Sequence, residues 1–264
     1  MPRCGMLGAC PVESVSAPMS TVQTDLLPCA PHDAACLPVD PAVEATAAAW
    51  ERVFPDPALR SRVPRGAVLA DPGMPVTAVK VCLGGLVLIS GQMAGVFAPV
   101  EQAGRGYVAG LEALGSGGET GLHRWQVRAV TPVDVLTVPA SRALAALAAD
   151  PVLGLTVLAG LTRRLHDGLA AVEAQKHVPA RLRLARYLLG VLDGGSRVLP
   201  LPKKDVAGLL GMTQQSLSRL LRELRQDGVD VQGAVIRCDD RDRLRRLCDP
   251  EDLWSDKDFA DAGD

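Results

Sequence analysis

The feature that most constrains the fold is a pair of short amphipathic segments around a glycine-containing turn, KKDVAGLLGMTQQSLSRLLRELRQDG, residues 203–228. Leucines three and four residues apart predict a helix with one buried face in the second segment. Gly211 can adopt the left-handed backbone that ends the first helix, and Thr213 can cap the second. VDVQGAVIRCD then predicts a hairpin with Gly233 at its tip. Residues 179–249 therefore predict a winged helix-turn-helix domain.

The buried leucines of the second helix leave a polar face near its N-terminal end. Glutamine can pair with adenine and arginine with guanine, while serine can hold a phosphate or a base edge. Two lysines at the start of the first helix suit phosphate contacts. The sequence thus predicts double-stranded DNA as the partner. The candidate contacts are Thr213, Gln214, Gln215, Ser218, Arg219, Arg222, Lys203 and Lys204.

The distribution of charge supports a local contact with a polyanion. The formal net charge is only −2, so no global basic character is present. Between Pro179 and Arg225, however, nine Arg and Lys residues face three acids, a local net of +6. Residues 250–264 form an acidic tail, whose last fourteen residues carry six acids and one lysine. One small basic module within a near-neutral chain is the expected footprint of a DNA-binding domain.

The middle of the chain predicts a β-roll. Residues 41–60 predict a short helix around Val43 to Phe54, and glycine-punctuated Val and Leu runs follow about every ten residues to Pro139. The uncharged stretch 81–100 is long enough for a membrane span, but two buried strands around a turn at Ser90–Gly91–Gln92 explain it better. We assign 41–150 to an antiparallel β-roll sensor domain. Without a signal peptide or a membrane span, a cytoplasmic protein is expected.

A long helix connects the two domains. Ser141–Ala149 predicts one helix, and Pro151 suits the first turn of the next, over 151–178. An apolar stripe follows this second helix at Leu153, Val157, Leu161, Leu165, Leu169 and Val172. The stripe predicts a homodimer seam, and packing on the chain's own roll is the alternative. Beyond it we expect a helix that ends at 193–195, a short strand at 196–202 and a last helix at 240–247. The fold class is therefore α+β.

This layout resembles the CRP/FNR superfamily of bacterial transcription regulators over residues 59–247, most specifically in DVAGLLGM and SLSRLLREL. The resemblance implies a homodimer on a pseudo-palindromic DNA site, in contact with RNA polymerase. The FNR-like branch, which the chain looks closer to, reads bases with Glu-x-x-Ser-Arg. Here Ser218 and Arg219 match, but Gln215 replaces the acid. Because Glu accepts from cytosine and Gln pairs better with adenine, we expect a half-site that departs from the usual one.

The resemblance also bears on the signal that is sensed. Cyclic-nucleotide-binding relatives carry Gly-Glu-Leu and Arg-Ser/Thr-Ala elements. Here the corresponding stretches are Gly110–Leu111–Glu112 and Leu122–His123–Arg124–Trp125, in which the acid is displaced and the Arg-Ser/Thr pair is missing. These departures argue against a cyclic nucleotide. FNR-like relatives often sense oxygen or nitric oxide through an iron–sulfur cluster or haem.

Cysteines in the first forty residues are candidate ligands for such a cluster. This segment holds six prolines and four cysteines, and is expected to be a flexible arm. Four thiolates are what a [4Fe–4S] cluster needs. The chain lacks a C-x₂-C pair, however, so incidental thiols are the alternative, and haem has still weaker support from the histidines. The candidate metal ligands are Cys4, Cys10, Cys29, Cys36 and Cys82.

Other functional classes fit the sequence less well. No carboxylate pair, phosphate-binding glycine loop or nucleophile–base set stands out, so we do not expect an enzyme. An iron–sulfur enzyme would leave the helix-turn-helix unexplained. A regulator that acts through dimerisation alone, without an effector, stays open beside a redox- or gas-responsive one.

Overall fold

The computed structural model describes residues 41–93, 95–116 and 121–248. It confirms the α+β class, with antiparallel sheets followed by a long helix and a helix-turn-helix with a hairpin. The arm over 1–40 and the tail over 250–264 lie outside the described residues. The helices are α1 (Pro41–Val53), α2 (Ala140–Ala149), α3 (Pro151–His177), α4 (Ala180–Asp193), α5 (Lys203–Leu209), α6 (Gln214–Leu224) and α7 (Arg241–Leu247).

Eight strands form the two sheets of the roll, each with four antiparallel strands. They are β1 (Arg60–Val63), β2 (Val68–Ala70), β3 (Ala78–Gly84), β4 (Val87–Met93), β5 (Val96–Ala103), β6 (Val108–Ala109), β7 (Gln126–Ala129) and β8 (Val133–Pro139). One sheet has the order β1-β8-β3-β6 and the other β2-β7-β4-β5. The strands β3 and β8, which are far apart in the sequence, lie side by side, with Val81 opposite Leu136.

The first sheet is buried on both faces, because apolar side chains point to both sides of its strands. Val133 and Val135 of β8 belong to the core that also holds Val87 and Val127 of the second sheet. Leu136 and Val138 of β8 belong instead to a core shared with the helices α1, α2 and α3. Because successive side chains of a strand point to opposite faces of the sheet, β8 contributes to two separate hydrophobic cores.

The apolar stripe predicted on α3 divides in the structure. Leu153 and Val157 are buried against the roll, in the same core as Trp50 of α1. For these two residues the dimer-seam prediction is wrong, because α3 begins on the roll and they point into it. The rest of the stripe stays exposed, with Leu165 at 61 % and Leu169 at 59 % of full exposure. Leu155 and Leu158, which the prediction omitted, are exposed as well.

The turn predicted at Ser90–Gly91–Gln92 is also wrong. All three residues lie inside β4, which pairs with β5 on one side and β7 on the other. Gly91 serves there as space for an aromatic ring, since a Cβ at this position would lie 3.0 Å from Cζ3 of Trp125. The stretch 81–100 does form strands, as expected, but they belong to β3, β4 and β5.

The C-terminal domain has one compact core. Leu217, Leu220, Leu221 and Leu224 of α6 pack in it with residues of α4 and α5. The hairpin of β9 (Val229–Gln232) and β10 (Val235–Cys238) forms as predicted. The strand expected at 196–202 does not form; a single bridge joins Val198 to Val235 instead. Two prolines in this segment, which lack the N–H that a ladder needs, account for the difference.

No single described helix has both the length and the apolar composition to cross a membrane. The helices α2 and α3 would pass that test only when taken together, and they meet at a bend of 106°.

Candidate DNA-binding surface

The turn between α5 and α6 has the backbone that the sequence predicts. Gly211 adopts the left-handed conformation, with φ of +63°. Thr213 then caps α6, its hydroxyl accepting from the backbone N–H of Ser216 at 3.1 Å. The same hydroxyl donates to Oγ of Ser216 at 3.0 Å. The hydroxyl of the exposed Thr213 is thus engaged in this cap, and the predicted contact of Thr213 with DNA stays a prediction.

The outward face of α6 carries the other predicted base-reading side chains. Gln214, Gln215, Ser218, Arg219 and Arg222 are all exposed. In the described parts of the chain, no hydrogen bond occupies the side-chain amide of either glutamine. The Ser218 hydroxyl donates to the carbonyl of Gln214 at 2.9 Å, which leaves its oxygen free to accept. The N-terminal half of α6 therefore presents donors and acceptors at the end where a recognition helix meets base edges.

Arg219 can turn towards DNA at little cost. Its side chain is 69 % exposed, and its ion pair with Glu223 spans 3.7 Å from Nε to Oε1. An exposed pair of this kind, four residues apart on a helix, contributes only about 0.3–0.5 kcal/mol. A bidentate contact with guanine contributes about 1–3 kcal/mol of discrimination. Because the guanine contact is the stronger of the two, losing the ion pair with Glu223 would not prevent Arg219 from contacting a base.

The phosphate-binding candidates flank this face. Lys203 lies at the N-terminus of α5 and lines a shallow groove of about 100 Å³ with Ser218 and Arg222. Lys204 is exposed beside it. The structure thus brings two of the predicted reading residues and one predicted phosphate contact to the same groove.

The wing is fastened to the end of the recognition helix by a contact that the sequence did not predict. Asp230 of β9 accepts from Nε of Arg225 at 2.6 Å and from the Gln232 amide at 2.8 Å. These two donors, Gln232 first, hold the pKa of the Asp230 carboxyl below its usual value. Because Arg225 directly follows α6, this half-buried carboxylate holds the hairpin beside the end of the helix.

Comparison with protein families identifies the domain that carries this geometry. Residues 182–247 match the family described as the Crp-like helix-turn-helix domain. This part of the chain is therefore similar to the helix-turn-helix domains of Crp-like proteins. The match begins in α4 and ends with α7, so it contains the turn, the reading face and the wing.

A curated relative matches only part of the chain. The global nitrogen regulator of Nostoc sp. (strain PCC 7120) is 32 % identical over an alignment of 106 residues, and the match covers 37 % of this chain and 48 % of that protein. The chain thus spans about half the length of the curated relative it matches.

Solved structures share the fold over most of the chain. The c-di-GMP-responsive global regulator CLP of Xanthomonas campestris has a TM-score of 0.62 at 20 % identity, covering 73 % of this chain and 98 % of its own. A CRP-family transcriptional regulator of Thermus thermophilus has a TM-score of 0.61 at 21 % identity, covering 71 % and 96 %. Together with the Crp-like domain, this shared fold supports the CRP/FNR superfamily. The FNR-like branch stays a prediction.

The Crp-like domain rests on the roll through α5. Nη2 of Arg128 in β7 contacts Oδ2 of Asp205 at 3.2 Å. Close by, a Cβ on Gly208 would lie only 2.8 Å from Cδ of Pro99 in β5. The domain core itself continues into the roll, where it includes Leu88. Sequence spacing gave no signal for these contacts, since they join residues far apart along the chain.

The candidate cluster ligands are not brought together among the described residues. Cys82 lies in the roll core, where burial raises the pKa of its thiol to about 12. Its Sγ donates to the carbonyl of Gly84 at 3.5 Å. A buried, protonated thiol does not suit a metal that binds thiolate. The ligand candidates Cys4, Cys10, Cys29 and Cys36 lie outside the described residues, and in the described ranges no group of three metal-ligating side chains occurs.

The roll position that corresponds to a nucleotide site carries a different set of side chains. Arg124, the nearest arginine in the sequence pattern, is exposed. The buried imidazole of His123 lies 3.9 Å from Oε1 of Glu112, measured at Nδ1. Burial lowers the pKa of His123 below its usual value, so this ring is neutral at physiological pH. The expectation that no cyclic nucleotide binds stays a prediction.

Proposed function

We propose that this protein is a homodimeric, sequence-specific DNA-binding regulator of transcription. The observation that carries the proposal is the exposed face of α6, where amide, hydroxyl and guanidinium groups stand together on a Crp-like domain. Phosphate contacts by Lys203, Lys204 and nearby arginines supply affinity. Specificity comes from Gln214, Gln215, Ser218 and Arg219. Contact with RNA polymerase follows from the superfamily resemblance.

Selection of binding sites from random duplex DNA tests this proposal. The purified chain should enrich a pseudo-palindrome with half-sites about one helical turn apart, centre to centre. Affinity for the enriched site should fall linearly with the logarithm of salt concentration as counterions are released. Phosphate contacts are strong at about 50–100 mM salt. If the selection enriches no sequence under these conditions, specific recognition is ruled out.

The exposed apolar stripe of α3 supports the homodimer. We define this stripe as Leu155, Leu158, Leu161, Leu165, Leu169 and Val172, all of them exposed in the single chain. The helix has 27 residues and is about 40 Å long, so the stripe follows most of its length. Five leucines and a valine in water along one helix would be costly, since each gains about 1.5–3 kcal/mol on full burial. A second copy of the same helix covers such a stripe with symmetric packing.

Sedimentation of two matched variants tests the dimer. Leu165→Asp places two carboxylates at the seam and should shift the chain to monomers at micromolar concentration. Ala170→Asp adds the same charge at an exposed position of α3 outside the stripe and should leave the dimer intact. A dimer that survives Leu165→Asp, or fails equally in both variants, would exclude the stripe as the seam.

We further propose that the regulator answers a redox or gas signal. Support comes from four cysteines in the first forty residues and from the likeness of the roll to the FNR-like branch. The described residues do not fit a cluster by themselves, so any cluster would depend on the arm. An absorption spectrum of anaerobically purified protein tests this: a broad violet-blue shoulder indicates a cluster and a sharp Soret band haem. A colourless protein with one unchanged DNA footprint would favour the effector-independent regulator.

A further inference from the structure

The joint between α3 and α4 is short and would be free to rotate if the backbone alone held it. Only Val178 and Pro179 separate the two helices; Val178 has an extended backbone, and neither residue is helical. Through this joint the long helix connects to the domain that reads DNA. The direction in which α6 points therefore depends on side chains that cross the joint.

Arg183 of α4 crosses it. Its Nη1 donates to the carbonyl of Val178 at 2.6 Å and makes a longer contact of 3.4 Å with the carbonyl of Gln175. Its Nε donates to the carbonyl of Leu210 at 3.1 Å, just beyond the last residue of α5. One planar guanidinium thus joins the end of the dimer-seam helix to the end of the first helix of the helix-turn-helix.

These carbonyls need an outside donor. Four residues after Gln175 comes Pro179, which has no N–H to give to the Gln175 carbonyl. The Leu210 carbonyl stands at the end of a helix, where the last carbonyls lack intrahelical partners. A hydrogen bond from a charged donor to such a group contributes more than one between neutral groups. Arg183 therefore satisfies groups on both sides of the joint at once.

A second contact supports the same arrangement. The side chain of Gln175, in the last turn of α3, lies against the turn of the helix-turn-helix. A Cβ on Gly211 would be only 3.1 Å from Cδ of Gln175. The turn that precedes the recognition helix thus rests directly on the end of α3.

The effect of the joint is amplified at DNA. The helix α6 has 11 residues and is about 16 Å long, and over that length a rotation of about 10° produces a displacement of about 3 Å. That displacement is close to the rise of one base pair, about 3.4 Å. In a dimer held along α3, a small error at the joint would move one recognition helix off its half-site.

We propose that Arg183 is a positioning residue that determines the spacing between the two half-sites the dimer reads. This inference rests on the proposed function. Gln175 assists by supporting the turn at Gly211. Neither residue reads bases.

The test compares binding to operators whose half-sites are separated by the preferred spacer or by one base pair fewer or more. A duplex with a single half-site is included. Arg183→Lys keeps the charge but cannot bridge three carbonyls with a planar fork. Arg186→Lys is the matched control, because Arg186 lies on the same helix and, within the described part of the chain, donates to the carbonyl of Cys248 at 3.3 Å, away from the joint. Gln175→Ala is a second, milder variant.

For wild type and Arg186→Lys, a change of the spacer by one base pair should lower the affinity by about tenfold or more. This loss is comparable to that caused by a mismatched base pair in a binding site. Arg183→Lys should bind the preferred spacing several-fold more weakly and discriminate less among spacings. Its affinity for a single half-site should be unchanged. Gln175→Ala should show the same pattern to a smaller degree.

Two results would overturn the positioning role. One is an Arg183→Lys profile that matches wild type at every spacing; the other is a loss at the single half-site as large as at the full operator. The second result would mean that the domain itself is damaged. Failure of the proposed function would look different, since wild type would then show no preferred spacing or no dimer.

Discussion

Gln215 offers the sharpest test of the proposed base reading by α6. It is exposed in the first turn of α6, and its amide makes no hydrogen bond in the described parts of the chain. Gln215→Glu keeps the shape of the side chain and exchanges an amide for a carboxylate. A carboxylate near a helix N-terminus is favourable by about 0.3–1 kcal/mol. The free energy of unfolding should therefore stay equal or rise, so any loss of binding arises at the DNA.

The expected change is an exchange of base preference. A bidentate glutamine–adenine pair contributes about 1–3 kcal/mol of discrimination, or about 5- to 150-fold in affinity. A glutamate cannot donate to adenine N7 but accepts from the amino group of cytosine. We expect one position of each half-site to change from adenine to cytosine. The added negative charge also weakens phosphate binding in general, so the effect of charge alone must be measured.

Gln226→Glu provides that control. Gln226 is exposed in the short 3₁₀ turn that follows α6, so the substitution adds the same charge to the same domain away from the reading face. Both variants would be compared with wild type by site selection and by competition binding at one salt concentration. The reasoning is refuted if Gln215→Glu weakens binding equally for all four bases at every position. It is refuted equally if Gln226→Glu shifts the base preference.

Three further predictions concern recognition, the core and the tail. Arg219→Ala should cost about 1–3 kcal/mol and relax discrimination at one base pair in a binding selection, whereas a loss uniform over all sequences would contradict base reading. Leu224→Ala, at a site with 0 % exposure, should lower the free energy of unfolding in urea by about 2–5 kcal/mol. The control Leu122→Ala, at 55 % exposure, should cost less than about 0.5 kcal/mol. Removing residues 250–264 should raise the affinity for DNA at low salt, because the six acids of the tail no longer repel phosphate. This gain in affinity should vanish at high salt, which screens the charges. Equal affinities at low salt would disprove that repulsion.

A last prediction concerns the pH dependence of stability. Burial raises the pKa of the Cys82 thiol to about 12 from a usual value of 9.0, so the folded chain keeps a proton that the unfolded chain releases. Its contribution is fully present below pH 9 and is lost as pH rises towards 12. The free energy of unfolding of wild type should fall over this window more steeply than that of Cys82→Ala. Parallel curves for the two chains would show that the thiol is not protected.

Local patterns in the sequence predicted most of the helix-turn-helix domain. The leucine spacing of α6, the left-handed glycine at 211 and the cap at Thr213 are properties of a few neighbouring residues, so no distant contact was needed to infer them. The prediction of a turn failed where contacts with residues distant along the chain determine the local structure. Ser90–Gly91–Gln92 has the composition of a turn, yet it is a strand because β5, β7 and Trp125 pack around it.

The long helix shows the same division. Its apolar period was evident from the sequence, but which leucines face the chain's own roll depends on where α3 lies against α1. The contacts of Arg183 could not be predicted, since its partners are backbone carbonyls that any sequence would supply.

The sequence by itself determined the two helices, the turn and the hairpin of the helix-turn-helix domain, and which side chains face outward on α6, although the strand that it predicted at 196–202 does not form. Hydrophobic period and capping act over a few residues, and a sequence displays them directly. The tertiary structure alone decided how that domain is oriented on the roll and on α3. Orientation arises from single contacts between residues distant along the chain, such as Arg128 with Asp205 and Arg183 with Leu210, and no local pattern encodes them.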